Sequence, residues 1–139
     1  MRLAIAEARR AQAEGNLAVG AVIVLNARVV AAGHNTVFTS GDPTAHAEMV
    51  ALRAAAAVLG TRDLTGSTLY TTLEPCPMCA GAICWARTAR LVCGAADRRF
   101  GRPAATVLRM MAALHRVECI EGILAAECRA LTPEVSGFE

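Results

Sequence analysis

The run Val19-Gly20-Ala21-Val22-Ile23-Val24-Leu25-Asn26-Ala27-Arg28-Val29-Val30-Ala31-Ala32-Gly33 reads as two strands and the turn between them. The first seven residues predict a buried strand, Asn26-Ala27 turns the chain, and Arg28 to Gly33 returns antiparallel. Upstream, Leu3 to Glu14 carries apolar residues at helical spacing and stops at Gly15-Asn16, a helix-ending pair. Downstream, Thr39-Ser40-Gly41 reads as a loop. Asp42-Pro43 then predicts a helix start, because the carboxylate accepts an orphan amide and proline is preset for a first turn. That helix is expected to run to Leu59 and end at Gly60.

Beyond it the pattern alternates. Ser67 to Thr72 is β-rich, Pro77 to Arg87 helical, Arg90 to Gly94 a strand, and Pro103 to Leu114 helical. His115 to Ile120 reads as a last strand and Gly122 to Leu131 as a last helix, while Thr132 to Glu139 has no clear periodicity. The order α-β-β-α-β-α-β-α-β-α predicts an α/β fold, a three-layer α/β/α sandwich with a central mixed five-stranded sheet. One domain is expected to occupy residues 1–139.

Composition narrows the function classes. With 139 residues, 55% hydrophobic and 19% charged, the chain has enough apolar surface to fold around its own core, which excludes a disordered polypeptide. No stretch approaches the ~20 apolar residues of a membrane span, and Met1 to Arg10 reads as an amphipathic helix rather than a secretion signal. A cytoplasmic protein without a membrane partner is expected. The net charge is only +2, and every one of the 14 basic residues is arginine. A strongly basic face is therefore not predicted, so any nucleic-acid contact has to be local.

Of six cysteines, Cys84, Cys93, Cys119 and Cys128 sit among apolar neighbours and read as core filling. Cys76 and Cys79 differ, because positions i and i+3 share one helix face and bring two sulfurs to one ion. His46, in the first turn and a half of the preceding predicted helix, supplies a third ligand. Three nitrogen or sulfur ligands and one open position is the layout of a catalytic zinc site. A helix amino terminus also favours thiolate, since the exposed amides and the helix dipole stabilise negative charge. Glu48 is too near His46 to join the same tetrahedral shell, yet it is placed to hydrogen-bond a bound water, the position of a general acid and base.

Two other readings of these residues stay open. Cys76-Pro77-Met78-Cys79 is also the spacing of a redox pair, and a structural zinc module completed by Cys84, Cys93 or His34 would have no catalytic role.

Asp42-Pro43-Thr44-Ala45-His46-Ala47-Glu48 and Leu73-Glu74-Pro75-Cys76-Pro77-Met78-Cys79-Ala80-Gly81-Ala82-Ile83 make the stretch from Val19 to Gly94 resemble the cytidine deaminase-like superfamily. The likeness is to its branch of guanine deaminases, tRNA adenosine deaminases and fungal cytosine deaminases. The resemblance implies a zinc ion on His46, Cys76 and Cys79, a homodimer or higher oligomer, and Glu48 carrying protons from the attacking water to the ring nitrogen and then to departing ammonia. It also implies that Asn35 hydrogen-bonds the substrate and places Ala47 beside it.

For the substrate, the residues pull two ways. Thr39 to Pro43 and Ala82 to Arg87 resemble bacterial guanine deaminases; Phe100 and Phe138 suit an aromatic lid over a base, and Glu139 suits an amidine-like edge. His115 to Glu118 and Glu121 to Cys128 instead resemble the final strand and helix of tRNA deaminases. Against that, the tail Pro133 to Glu139 is short and acidic where those enzymes carry a basic helix, and Arg98-Arg99-Phe100-Gly101-Arg102 departs from their small-residue loop. The first reading is thus a deaminase of a small nucleobase or nucleoside, guanine- or cytosine-like, and the alternative a tRNA-specific adenosine deaminase acting at the anticodon wobble position.

Overall fold

The hairpin forms as its sequence predicts. Strands β1 (Gly20–Leu25) and β2 (Arg28–His34) pair antiparallel, from Gly20 opposite His34 to Leu25 opposite Arg28. Asn26 and Ala27 both hold positive φ, 51° and 60°, as the favoured two-residue hairpin turn requires. The structure, a computed structural model, describes residues 1–136. On the other side of β1, β3 (Thr68–Leu73) pairs antiparallel, and β4 (Arg90–Ala95) and β5 (Glu118–Ile120) follow in parallel, giving the order β2-β1-β3-β4-β5. Parallel neighbours need long crossovers, and α4 (Pro77–Trp85) and α5 (Pro103–Met110) provide them.

Helices cover both faces, because the strands bury alternate residues on each. On one side α1 (Arg2–Ala13) lies across β1 and β2, and α6 (Ala125–Leu131) lies across β4. On the other, α3 (Ala47–Leu59) covers β2 and β1, with α4 beside it and α5 against α4. The α3 contact depends on Gly33, where a Cβ would stand 2.7 Å from the Ala51 nitrogen and 3.0 Å from the Ala47 oxygen. Only a residue without a side chain lets the first turn of α3 come this close to β2. Ile23, Leu69, Ile83 and Leu91 fill the core between the layers. No helix among the described residues is long and apolar enough to cross a membrane.

Several boundaries differ from the sequence expectation, each for a local reason. The helix expected from Asp42 begins at Ala47, because the Asp42 carboxylate is taken by the Thr44 amide and hydroxyl at 2.8 and 2.7 Å, which closes a turn instead. His46 is consequently the extended N-cap residue (φ −67°, ψ 155°) rather than part of a helical turn. The expected loop at Thr39 contains a one-turn helix, α2 (Val37–Ser40), closed by Gly41 at φ 71°. The strand expected from His115 is confined to Glu118–Ile120, since the His115 amide donates to the Met111 carbonyl and so belongs to the turn that follows α5. Helix α6 starts only at Ala125, after Gly122 and Leu124 at positive φ, and α7 (Pro133–Ser136) adds a turn to the tail.

Candidate active site

Two helices begin at the same spot. His46 is the N-cap of α3 and Cys76 the N-cap of α4, and Cys79 lies in the first turn of α4. Pro77 at the first helical position of α4 fixes the turn that separates the two sulfurs. The ligand atoms of His46, Cys76 and Cys79 all lie within 4.8 Å of one another. His46 Nδ1 is 3.6 Å from each sulfur. A tetrahedral zinc with bonds of about 2.05 Å to nitrogen and about 2.3 Å to sulfur holds those atoms about 3.6 Å apart. The three residues are therefore positioned to bind this metal without rearrangement.

The electrostatics suit a cation. The Cys76 thiol is pulled down to about 4 by its hydrogen bond with Cys79 and, against some burial, by His46. The Cys79 thiol is pushed up by its hydrogen bond to Cys76 and by burial, and the His46 imidazole is raised chiefly by the Cys76 hydrogen bond. Both helix amino termini add positive potential at the sulfurs. Among the described residues, no fourth histidine, cysteine or carboxylate joins this group. Cys84 and Cys93 are buried elsewhere, and His34 is held between Glu7 and Glu14 at 2.8 Å on each ring nitrogen. Three ligands and an open position is the catalytic arrangement, not the closed structural one.

Glu48, in the first turn of α3, is 3% exposed, and burial raises its carboxyl above the usual range. The Thr71 hydroxyl on β3 stands 3.3 Å from Glu48 Oε1 and 3.0 Å from the Leu73 carbonyl, and its one proton serves either.

These groups open on a cleft of about 180 Å³. It lies at the carboxyl ends of β3 and β4, where loops of α/β sheets gather function. Asn35, Ala47 and Glu48 line it together with His46 and Cys76. Asn35 is tied down at both ends, its amide donating to the Val19 carbonyl at 3.0 Å and its Oδ1 accepting the Val37 amide at 3.1 Å. Phe100 does not line the cleft; its half-exposed ring lies under the Arg99 guanidinium, 5.1 Å from the ring centre. Phe138 and Glu139, the other expected pocket residues, lie outside the described residues.

Phe38 and Asp97 line the cleft without belonging to any motif, and Arg99, which the sequence reading places in the arginine-rich loop Arg98 to Arg102, lines it beside them. Asp97 is buried and clamps Arg99 through two parallel bonds of 3.0 and 2.7 Å, while its own amide donates to Glu74 Oε2 at 3.2 Å. The Asp-x-Arg spacing just past a strand is the signal for this clamp. Phe38 carries no comparable signal.

Comparison with known proteins agrees with this chemistry. The profile of the cytidine and deoxycytidylate deaminase zinc-binding region matches residues 1–95. A tRNA-specific adenosine deaminase of Bacillus subtilis is 41% identical over 131 residues, covering 92% of this chain and 81% of that protein. A guanine deaminase of the same organism is 59% identical, but over 68 residues, 49% of this chain and 44% of the relative. A solved structure from a study of A-to-I editing by tRNA:A34 deaminases at the wobble position superposes with a TM-score of 0.86 at 38% identity. It covers 94% of this chain and 96% of its own.

Proposed function

This chain belongs to the cytidine deaminase-like superfamily and is a zinc-dependent hydrolase of C–N bonds, and on that premise we propose that it is a tRNA adenosine deaminase acting at the anticodon wobble position. The observation that carries the proposal is the extent of likeness. Identity to the tRNA enzyme of Bacillus subtilis runs over 92% of the chain, against 49% for the guanine deaminase. The comparisons thus favour the tRNA alternative over the small-base reading that the short acidic tail suggests.

The geometry agrees with a base presented from outside. A cleft of about 180 Å³ is well below the about 300–1,000 Å³ that holds a drug-sized ligand, and suits one heterocycle turned out of its strand. The Arg99 guanidinium, fixed by Asp97 at the rim, is placed to meet a backbone phosphate. This is the local nucleic-acid contact that a chain of low net charge requires.

His46, Cys76 and Cys79 hold the metal in this reading. When bound, zinc would lower the pKa of a coordinated water to about 7 and so supply a nucleophile at neutral pH. Glu48 takes one proton of the attacking water and delivers it to the ring nitrogen beside the amine-bearing carbon, then moves the second water proton, left on the new hydroxyl, to the amine, which leaves as ammonia while the new C–O bond replaces the C–N bond. Water and adenosine become inosine and ammonia. Asn35 and the Ala47 backbone hold the base edge, and Thr71 keeps the Glu48 carboxylate turned toward the cleft.

A small-base activity stays in view because of the 59% identity to guanine deaminase. Ammonia release is the test, across an adenosine-bearing anticodon stem-loop, guanine, cytosine and free nucleosides. Turnover of the stem-loop supports the proposal, and turnover of guanine alone overturns it. The homodimer that the resemblance implies belongs to the same reading and is tested by sedimentation of the zinc-loaded protein.

A further inference from the structure

Phe38 lines the cleft and yet is 76% exposed. It rides on the one-turn helix α2, too short to hold its own shape in water. That turn is held from outside. The Phe38 and Thr39 amides donate to Asn16 Oδ1 at 3.0 and 3.2 Å, and Asn16 Nδ2 donates to Thr39 Oγ1 at 3.0 Å. Asn16 is only 7% exposed, so a buried amide spends its hydrogen bonds on fixing the backbone under an exposed aromatic ring. The Asn35 Oδ1 bond to the Val37 amide, 3.1 Å, joins the same turn to the cleft floor.

Most of the ring faces solvent, so a heterocycle that fills the cleft covers only the part of it that lines the wall. What covers the rest is whatever the base is attached to. A free base offers nothing there, whereas a polynucleotide offers the neighbouring base, and every base has a face that stacks on an aromatic ring. Arg99 lines the same cleft, so a cation for phosphate and an aromatic face for a base serve one opening.

Resting on the tRNA reading, we propose that Phe38 is a specificity-determining residue that stacks on the nucleobase flanking the target adenosine. The adenosine itself occupies the cleft, and α2 supplies a fixed platform for its neighbour.

The test is kcat/KM for inosine formation in the stem-loop, with native flanks and with either flanking nucleotide made abasic, for the wild type, Phe38→Ala and Phe38→Tyr. Phe38→Ala is expected to lose about 5- to 150-fold on the native stem-loop, the effect of removing one base–aromatic stack. Phe38→Tyr, which keeps the aromatic face, stays within about twofold. Removing the flanking base on one side slows the wild type by the same factor as the alanine substitution and leaves Phe38→Ala no slower. An undiminished Phe38→Ala on the native stem-loop overturns this proposal while leaving the tRNA reading intact. So does a loss that persists in full on both abasic substrates. A wild type that converts guanine and never the stem-loop overturns the tRNA reading, and this proposal with it.

Discussion

The metal end of the cleft and its outer rim are built by different rules. At the metal end, His46 and Glu48 are two residues apart and Cys76 and Cys79 three, and each pair is placed by the first turn of one helix. At the rim, Phe38 and Arg99 stand 61 positions apart by their numbering, on a one-turn helix and a loop. Each is fixed by a buried partner, Asn16 for Phe38 and Asp97 for Arg99. Chemistry thus rests on local backbone geometry at two helix amino termini, and recognition on tertiary contacts that leave the recognising side chain in solvent. Substitutions at the metal end are therefore expected to act on every substrate alike, and those at the rim only in proportion to what the substrate places there.

The largest effect is expected from the ligands. Cys79→Ser, His46→Ala or metal removal by a chelator should take activity to background on all substrates, with zinc lost in elemental analysis; retained zinc and turnover would break the assignment of the metal end. Glu48→Gln comes next. It should lower kcat by about 10²- to 10⁴-fold, the usual weight of a general acid–base group, while zinc content stays that of the wild type. Zinc loss instead would make Glu48 a ligand and redraw the site.

Arg99→Ala sharpens the rim side. On the stem-loop it should raise KM and flatten the dependence of log affinity on log salt by about 0.7, one phosphate contact to a single strand. An unchanged slope would mean that Arg99 meets no phosphate. The smallest effect is expected from Phe100→Ala. Because that ring lies beside the cleft and meets Arg99 at an exposed site, the loss should stay within about 0.5–1 kcal/mol, a few-fold in KM. A larger rise in KM with zinc retained would restore Phe100 as a lid over the base.

The same contrast explains what the sequence alone disclosed. The sheet was legible because β1 is a continuous apolar run joined to β2 by a two-residue turn, and β3, β4 and their helices follow with clear breaks. The metal end was legible because its spacings are one-helix spacings that survive without knowledge of the fold. The start of α3 was misplaced because Asp42 satisfies the rule for a helix start and uses its carboxylate on Thr44 instead. Phe38 was missed because nothing near it in sequence announces a cleft. Its place there depends on Asn16, 22 residues upstream, and on the closeness of β2 to α3 that Gly33 permits. Phe100, an aromatic at an inviting spacing, points attention to the right loop and the wrong side chain, since its neighbour Arg99 faces the cleft.

In the proposed reading, this site hydrolyses the amine of an adenosine held in tRNA. The most direct test of that reading is incubation of the zinc-loaded protein with the anticodon stem-loop in water enriched in heavy oxygen, followed by mass spectrometry of the digested nucleosides. The account predicts inosine at the wobble position carrying one heavy oxygen atom, with ammonia released in equal amount. Adenosine recovered unchanged, from protein that converts free guanine under the same conditions, would contradict it.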